Sequence, residues 1–68
     1  MRSYEVYGVQ NDGEMVYVDT VYSSSEGKQI HSMMKVQGYY DEIVVLDYQG
    51  NKVMHRSLRS NEDFLNVA

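Results

Sequence analysis

The chain has 68 residues, is 43% hydrophobic and 24% charged, and carries a formal net charge of −4. It holds seven Tyr and five Met but no Cys, Pro or Trp. This length allows one small domain and no second one. Without Cys there is neither a disulfide staple nor a thiolate zinc site. No apolar run approaches the roughly 18–20 residues that span a bilayer, and the N-terminus does not read as a signal peptide. The acidic balance argues against general binding to a nucleic-acid backbone. A chain of this size buries only about 60% of the surface its unfolded form exposes, which raises the value of a partner.

In chain order, residues 2–10 (RSYEVYGVQ) are rich in β-branched and aromatic side chains and read as a strand. Asn11-Asp12-Gly13-Glu14 follows, and Asp12-Gly13 at the centre suits a two-residue type I′ turn. Residues 15–22 (MVYVDTVY) form the returning strand. That turn would pair Val9 with Val16, Tyr7 with Val18 and Tyr4 with Val21. Ser23-x-x-Glu26 is a capping box, Ile30, Met33 and Met34 fall on one helical face, and Gly38 suits a left-handed C-terminal position after Lys35. A helix over 24–37 is therefore expected, with Gly27 reflecting either close packing or weak propensity. Residues 42–48 (EIVVLDY) and 52–58 (KVMHRSL) read as two more strands around Gln49-Gly50-Asn51. Either Gln49-Gly50 or Gly50-Asn51 can form the turn, and the first, which is preferred, pairs Leu46 with Val53 and Asp47 with Lys52. Ser60 to Ala68 reads as a short helical turn that covers the core with Phe64, Leu65 and Val67, or as a frayed end.

The predicted fold is α+β: residues 1–68 as a single two-layer domain, with a four-stranded antiparallel sheet of two hairpins and one helix packed across it (ββαββ). One helix covers one face, yet both faces look apolar. In the first hairpin Tyr7, Val9, Val16, Val18 and Tyr22 would share one side, and Tyr4, Val6, Met15, Tyr17 and Val21 the other. In the third strand Val44 and Leu46 oppose Ile43 and Val45. A sheet with one wet face should alternate cleanly. The uncovered face is then either shielded by the tail or an interaction surface, in a homodimer or with another protein.

Residue chemistry narrows the function further. His31 is placed on the exposed side of the helix and His55 in the fourth strand, and two separated His without Cys do not make a zinc site. The ten Asp and Glu sit at turns, caps and strand ends. No calcium loop, phosphate loop or nucleophile elbow is present. The expectation is a non-enzymatic protein that uses no cofactor and no metal. Charge is segregated: residues 1–22 hold four acids and one base, residues 39–48 three acids and no base, residues 52–59 three bases and no acid. A protein partner is expected to meet Tyr4, Tyr17, Tyr39 and Tyr40, with Asp19, Asp41 and Glu42 supplying electrostatic selectivity. A homodimer is one form of that reading. The alternative is an RNA, single-stranded DNA or nucleotide module built on Lys52, His55, Arg56 and Arg59. Net negative charge makes that alternative weaker. No membrane contact and a cytoplasmic location are expected. In size and composition alone, the chain resembles small acidic accessory proteins of bacteriophages, including inhibitors of host enzymes or defence systems.

Overall fold

A computed structural model describes residues 2–59. The elements follow in the order β1 (Tyr4–Val9), β2 (Met15–Val21), α1 (Ser24–Gln37), β3 (Glu42–Asp47) and β4 (Lys52–Ser57). The strands form one sheet in the order β2-β1-β3-β4, with every neighbouring pair antiparallel. This is the expected ββαββ arrangement. The expected helical turn at Ser60 to Ala68 lies outside the described residues. No helix among the described residues is long and apolar enough to cross a membrane.

Both hairpins turn through the same loop, and it is not the expected two-residue one. At the first tip, Gly13 N–H donates to Gln10 O at 2.9 Å and Gln10 N–H donates to Glu14 O at 2.9 Å. Asn11, Asp12 and Gly13 therefore form a three-residue loop, with Gly13 left-handed at φ 89°. A type I′ turn needs positive φ at both central positions, and no described non-glycine residue has positive φ. At the second tip, Gly50 N–H donates to Asp47 O (2.9 Å) and Asp47 N–H to Asn51 O (2.8 Å), around Tyr48, Gln49 and Gly50. Gly50 is again left-handed, at φ 86°.

The extra loop residue moves the pairing near each tip by one. Val9 meets Met15 rather than Val16, Tyr7 meets Tyr17 rather than Val18, and Leu46 meets Lys52 rather than Val53. A β-bulge then restores the register in each hairpin, at Val18 and at Val53. Tyr4 accordingly pairs with Val21 as expected, and Val45 with Met54.

The Asp47 carboxylate fastens the second loop. It accepts the N–H of Asn51 at 2.8 Å and of Gln49 at 2.9 Å. These backbone donors hold its carboxyl below the usual carboxylate value, the Asn51 N–H contributing most. A depressed folded-state pKa supports stability above the unfolded value of about 3.9. That support is lost as pH falls through the folded value. The wild type should therefore lose thermal stability between about pH 4 and the acid limit more steeply than Asp47→Asn. Equal acid slopes for the two proteins would contradict this.

Helix α1 begins and ends where the sequence indicates. The Ser23 hydroxyl accepts Glu26 N–H at 3.2 Å, the Glu26 carboxylate accepts Tyr22 N–H at 2.7 Å, and left-handed Gly38 donates to Met34 O at 3.1 Å. Its buried stripe differs from the expected one. Gly27, His31 and Met34 are buried, with Ile30 half-buried, an i, i+3, i+4, i+7 spacing. Met33 lies about 100° around the helix from Met34 and is 39% exposed. His31, expected on the solvent side, is 2% exposed, because it sits one turn from both Gly27 and Met34. Gly27 is buried in the first turn of the helix.

The core lies between α1 and the sheet. Val6, Val21, Met34, Ile43, Val45, Met54 and Leu58 pack together, with Tyr4, Val18, Ile30 and Tyr40 at the margin. Gly8 sits near the end of β1 with the Tyr40 ring lying directly against it. A Cβ added at Gly8 would come within 2.6 Å of both Cδ atoms of that ring. The chain returning from the helix is pinned at this point by Asp41 N–H, which donates to Val9 O at 2.8 Å.

Candidate protein-interaction surface

Residues paired across antiparallel strands share a face, so the registers define what the helix leaves uncovered. The outer face consists of three rows running from β2 to β4: Thr20, Glu5, Leu46, Lys52; then Tyr17, Tyr7, Val44, His55; then Met15, Val9, Glu42, Ser57. The middle row is aromatic and aliphatic. Tyr7 and Tyr17 meet edge to face, with centroids 5.8 Å apart and planes at 73°. Val44, next in the row, is only 2% exposed although it points away from the helix. Leu46 is half-buried beside it, whereas Tyr17 is 53% exposed and Met15 is also open to solvent. The exposed apolar surface of this face is thus on the β2 side, at Tyr17 and Met15, while Val44 in the centre is buried.

Charges frame this centre. Tyr7 donates its hydroxyl proton to Glu5 Oε1 at 3.2 Å. Desolvation among its neighbours, then the Glu5 charge and that hydrogen bond, hold the Tyr7 hydroxyl pKa above its ordinary value. His55 Nε2 lies 2.8 Å from Glu42 Oε1 across β3 and β4. Lys52 is exposed at the end of the first row. Glu5 and Lys52 are therefore opposite charges in one row, separated by Leu46. Among the described residues no group of three His, Cys, Asp or Glu is arranged to hold a metal ion.

The residues singled out from the sequence are not gathered in one place. Tyr17 and Glu42 are on the outer face. Tyr4 and Tyr40 turn to the helix side and pack at the core margin. Asp19 pairs with Val6, which puts it on the helix side of β2, and its carboxylate accepts Thr20 N–H at 2.7 Å. Tyr39 is exposed just after α1, edge to face with Tyr40 at 6.4 Å. Asp41 accepts both Nε (3.1 Å) and Nη2 (2.9 Å) of Arg59. The basic residues are also divided. Lys52 and His55 face outward, Arg56 pairs with Ile43 and so faces the helix side, and Arg59 is held by Asp41.

The sequence pattern puts Tyr7, Val44 and Leu46 on apolar faces but singles out none of them, nor Glu5, as a contact residue. The unbroken Ile43-Val44-Val45-Leu46 run was the available signal, since both its parities are apolar. The bulge at Val18 was not legible, and it transfers Met15 and Tyr17 to the side of Tyr7 and Val9. On the helix side, a groove of about 220 Å³ lies between the first turn of α1 and the sheet, with Tyr4, Val6, Val45 and Met54 in its lining. Compared with protein-family models, with curated proteins and with solved structures, the chain finds no match.

Proposed function

We propose that the chain is a non-enzymatic protein-interaction module whose contact surface is the outer face of the sheet. The observation that carries this reading is the exposed Tyr17 and Met15 on the outer face, beside the half-buried Tyr7 and Leu46, on the side that the helix does not cover. Aromatic side chains supply much of the energy at protein interfaces, and rim charges supply selectivity. Glu5, Glu42 and Lys52 stand where such a rim belongs. The small acidic fold fits an inhibitor of an enzyme or defence complex, of the kind bacteriophages encode. The division of Lys52, His55, Arg56 and Arg59 between faces favours protein contact over a nucleic-acid strand, which needs its cations along one groove.

Site-specific photo-crosslinking in a lysate of the source cells tests this. A benzophenone side chain replaces either Tyr17, in the middle row, or Val36, which is 87% exposed on the back of the helix. A protein adduct from the first site and none from the second is expected. Adducts from the Val36 site alone, or from neither site, would overturn the reading.

A further inference from the structure

We infer that the partner adds a strand to the open edge of the sheet: an extended, basic segment of another protein pairs with β2 at Met15 and Tyr17. The inference rests on the reading of the β2 side as a contact surface and adds the kind of partner and the way it docks.

The hydrogen-bond ladder shows which backbone groups of β2 are open. Gln10 N–H donates to Glu14 O and Gly13 N–H donates to Gln10 O, so the ladder starts with a bonded pair at the hairpin tip. Bonded and non-bonded pairs then alternate along antiparallel strands. Gly8 and Val16 are the next bonded pair, with the non-bonded pairs Val9–Met15 and Tyr7–Tyr17 on either side of it. Val9 O obeys this alternation, since it turns from β2 and accepts the N–H of Asp41, the residue before β3. The N–H and C=O groups of Met15 and Tyr17 therefore point away from β1. Among the described residues β2 has β1 alone as its neighbour in the sheet, so these groups form an open edge. Their spacing of two residues is the one at which an added strand pairs.

The rest of this edge is closed. The bulge falls at Val18, and Thr20 N–H, the next outward donor, is taken by the Asp19 carboxylate at 2.7 Å. The other edge strand, β4, carries Lys52 and Arg56, and such charges keep foreign strands off. β2 has neither Lys nor Arg. The open stretch also offers a fixed contact. The exposed Tyr17 ring lies edge to face with Tyr7, and its hydroxyl is 2.5 Å from Thr20 Oγ1. A side chain already held loses little freedom on binding.

Charge selects the partner. Exposed Glu14 precedes the open stretch, exposed Asp19 follows it, and Asp12 stands at the hairpin tip. Residues 3–22 hold no Lys or Arg. A strand that carries Lys or Arg meets these acids favourably. A second copy does not. Antiparallel pairing sets the Glu14 end of one β2 against the Asp19 end of the other, and parallel pairing sets identical acids side by side.

A synthetic peptide alternating Lys and Val, with blocked ends, tests the proposal when titrated into the isotope-labelled full chain. The amide protons of Met15 and Tyr17 are expected to move downfield as they gain carbonyl acceptors. Exchanging Glu for Lys in the peptide should weaken binding by at least about tenfold. Methylating the peptide's backbone nitrogens should weaken it by at least about fivefold. Met15→Pro removes an N–H that faces away from β1, so the variant should keep its fold by circular dichroism and bind the Lys peptide about fivefold less tightly. No shift at Met15 and Tyr17 at any peptide concentration, equal binding of the Glu peptide, or equal binding of the methylated peptide would each overturn the proposal. So would a wild type that sediments as a dimer and a Met15→Pro variant that does not. The two levels separate. No peptide shift together with a protein adduct from the Tyr17 site removes the edge pairing and leaves the contact surface. Absence of the adduct removes both.

Discussion

Gly8→Ala is expected to lower the stability of this chain by about 2–3 kcal/mol, at the upper end of ordinary overpacking. A domain of this size has about 3–10 kcal/mol in total, so one methyl group would remove a large part of it. The reason is the place of Gly8. It lies in the central strand β1, between Val16 of β2 and Ile43 of β3, and its helix-side surface is covered by the Tyr40 ring. A methyl group there collides with the body of the ring, not with its flexible end. The Tyr40 backbone cannot easily retreat, because the next residue is tied to Val9 through Asp41 N–H. The ring must leave its rotamer, and the core margin opens. Urea unfolding of Gly8→Ala, Tyr40→Ala and the double variant gives the coupling. The two losses should fall short of additive by about 1 kcal/mol or more, since without the ring the methyl group meets nothing. Additive losses would mean that the ring does not hold the glycine.

The second large effect separates two neighbouring methionines. Met34→Ala should cost about 2–5 kcal/mol, because the side chain is fully buried and its loss leaves a cavity between α1 and the sheet. Met33→Ala should fall within about 0.5 kcal/mol of the wild type, as exposed substitutions usually do. Thermal unfolding of the two single variants decides the matter. Equal losses would place both side chains in the core and contradict the helix rotation described above.

That rotation shows what sequence periodicity gives and what it leaves open. The capping box at Ser23 and the glycine at Gly38 fixed both ends of α1 through local hydrogen bonds, so they were legible. Which side of the helix faces the sheet depends on the tertiary fit, and there Gly27 and His31 took the place expected for Met33. Spacing alone put His31 in solvent, because it weighs a histidine as polar, whereas its position one turn from Gly27 and Met34 buries it.

The hairpins carry the same lesson in another form. Glycine in a turn was legible at Gly13 and Gly50. Whether glycine is the second or the third loop residue was not, since both solutions place a left-handed residue at that glycine. The structure uses the longer loop twice and cancels the resulting shift with a bulge twice, at Val18 and Val53. Far from the tips the expected pairs survive. Close to them the faces exchange, and this decides the candidate site: Met15 and Tyr17 join Tyr7, Val9, Val44 and Leu46 on the uncovered side. The general expectation of a sheet with two apolar faces could be read from the IVVL run of β3. The membership of the outer face could not, because parity in β2 depends on one unpaired valine.

The central claim is that the outer face of the sheet, on its β2 side, is the contact surface. Addition of a lysate of the source cells to the isotope-labelled chain should broaden the resonances of Met15, Tyr17 and Tyr7 and spare those of Met33 and Val36. Broadening confined to Met33 and Val36, or none at any lysate concentration, would contradict it.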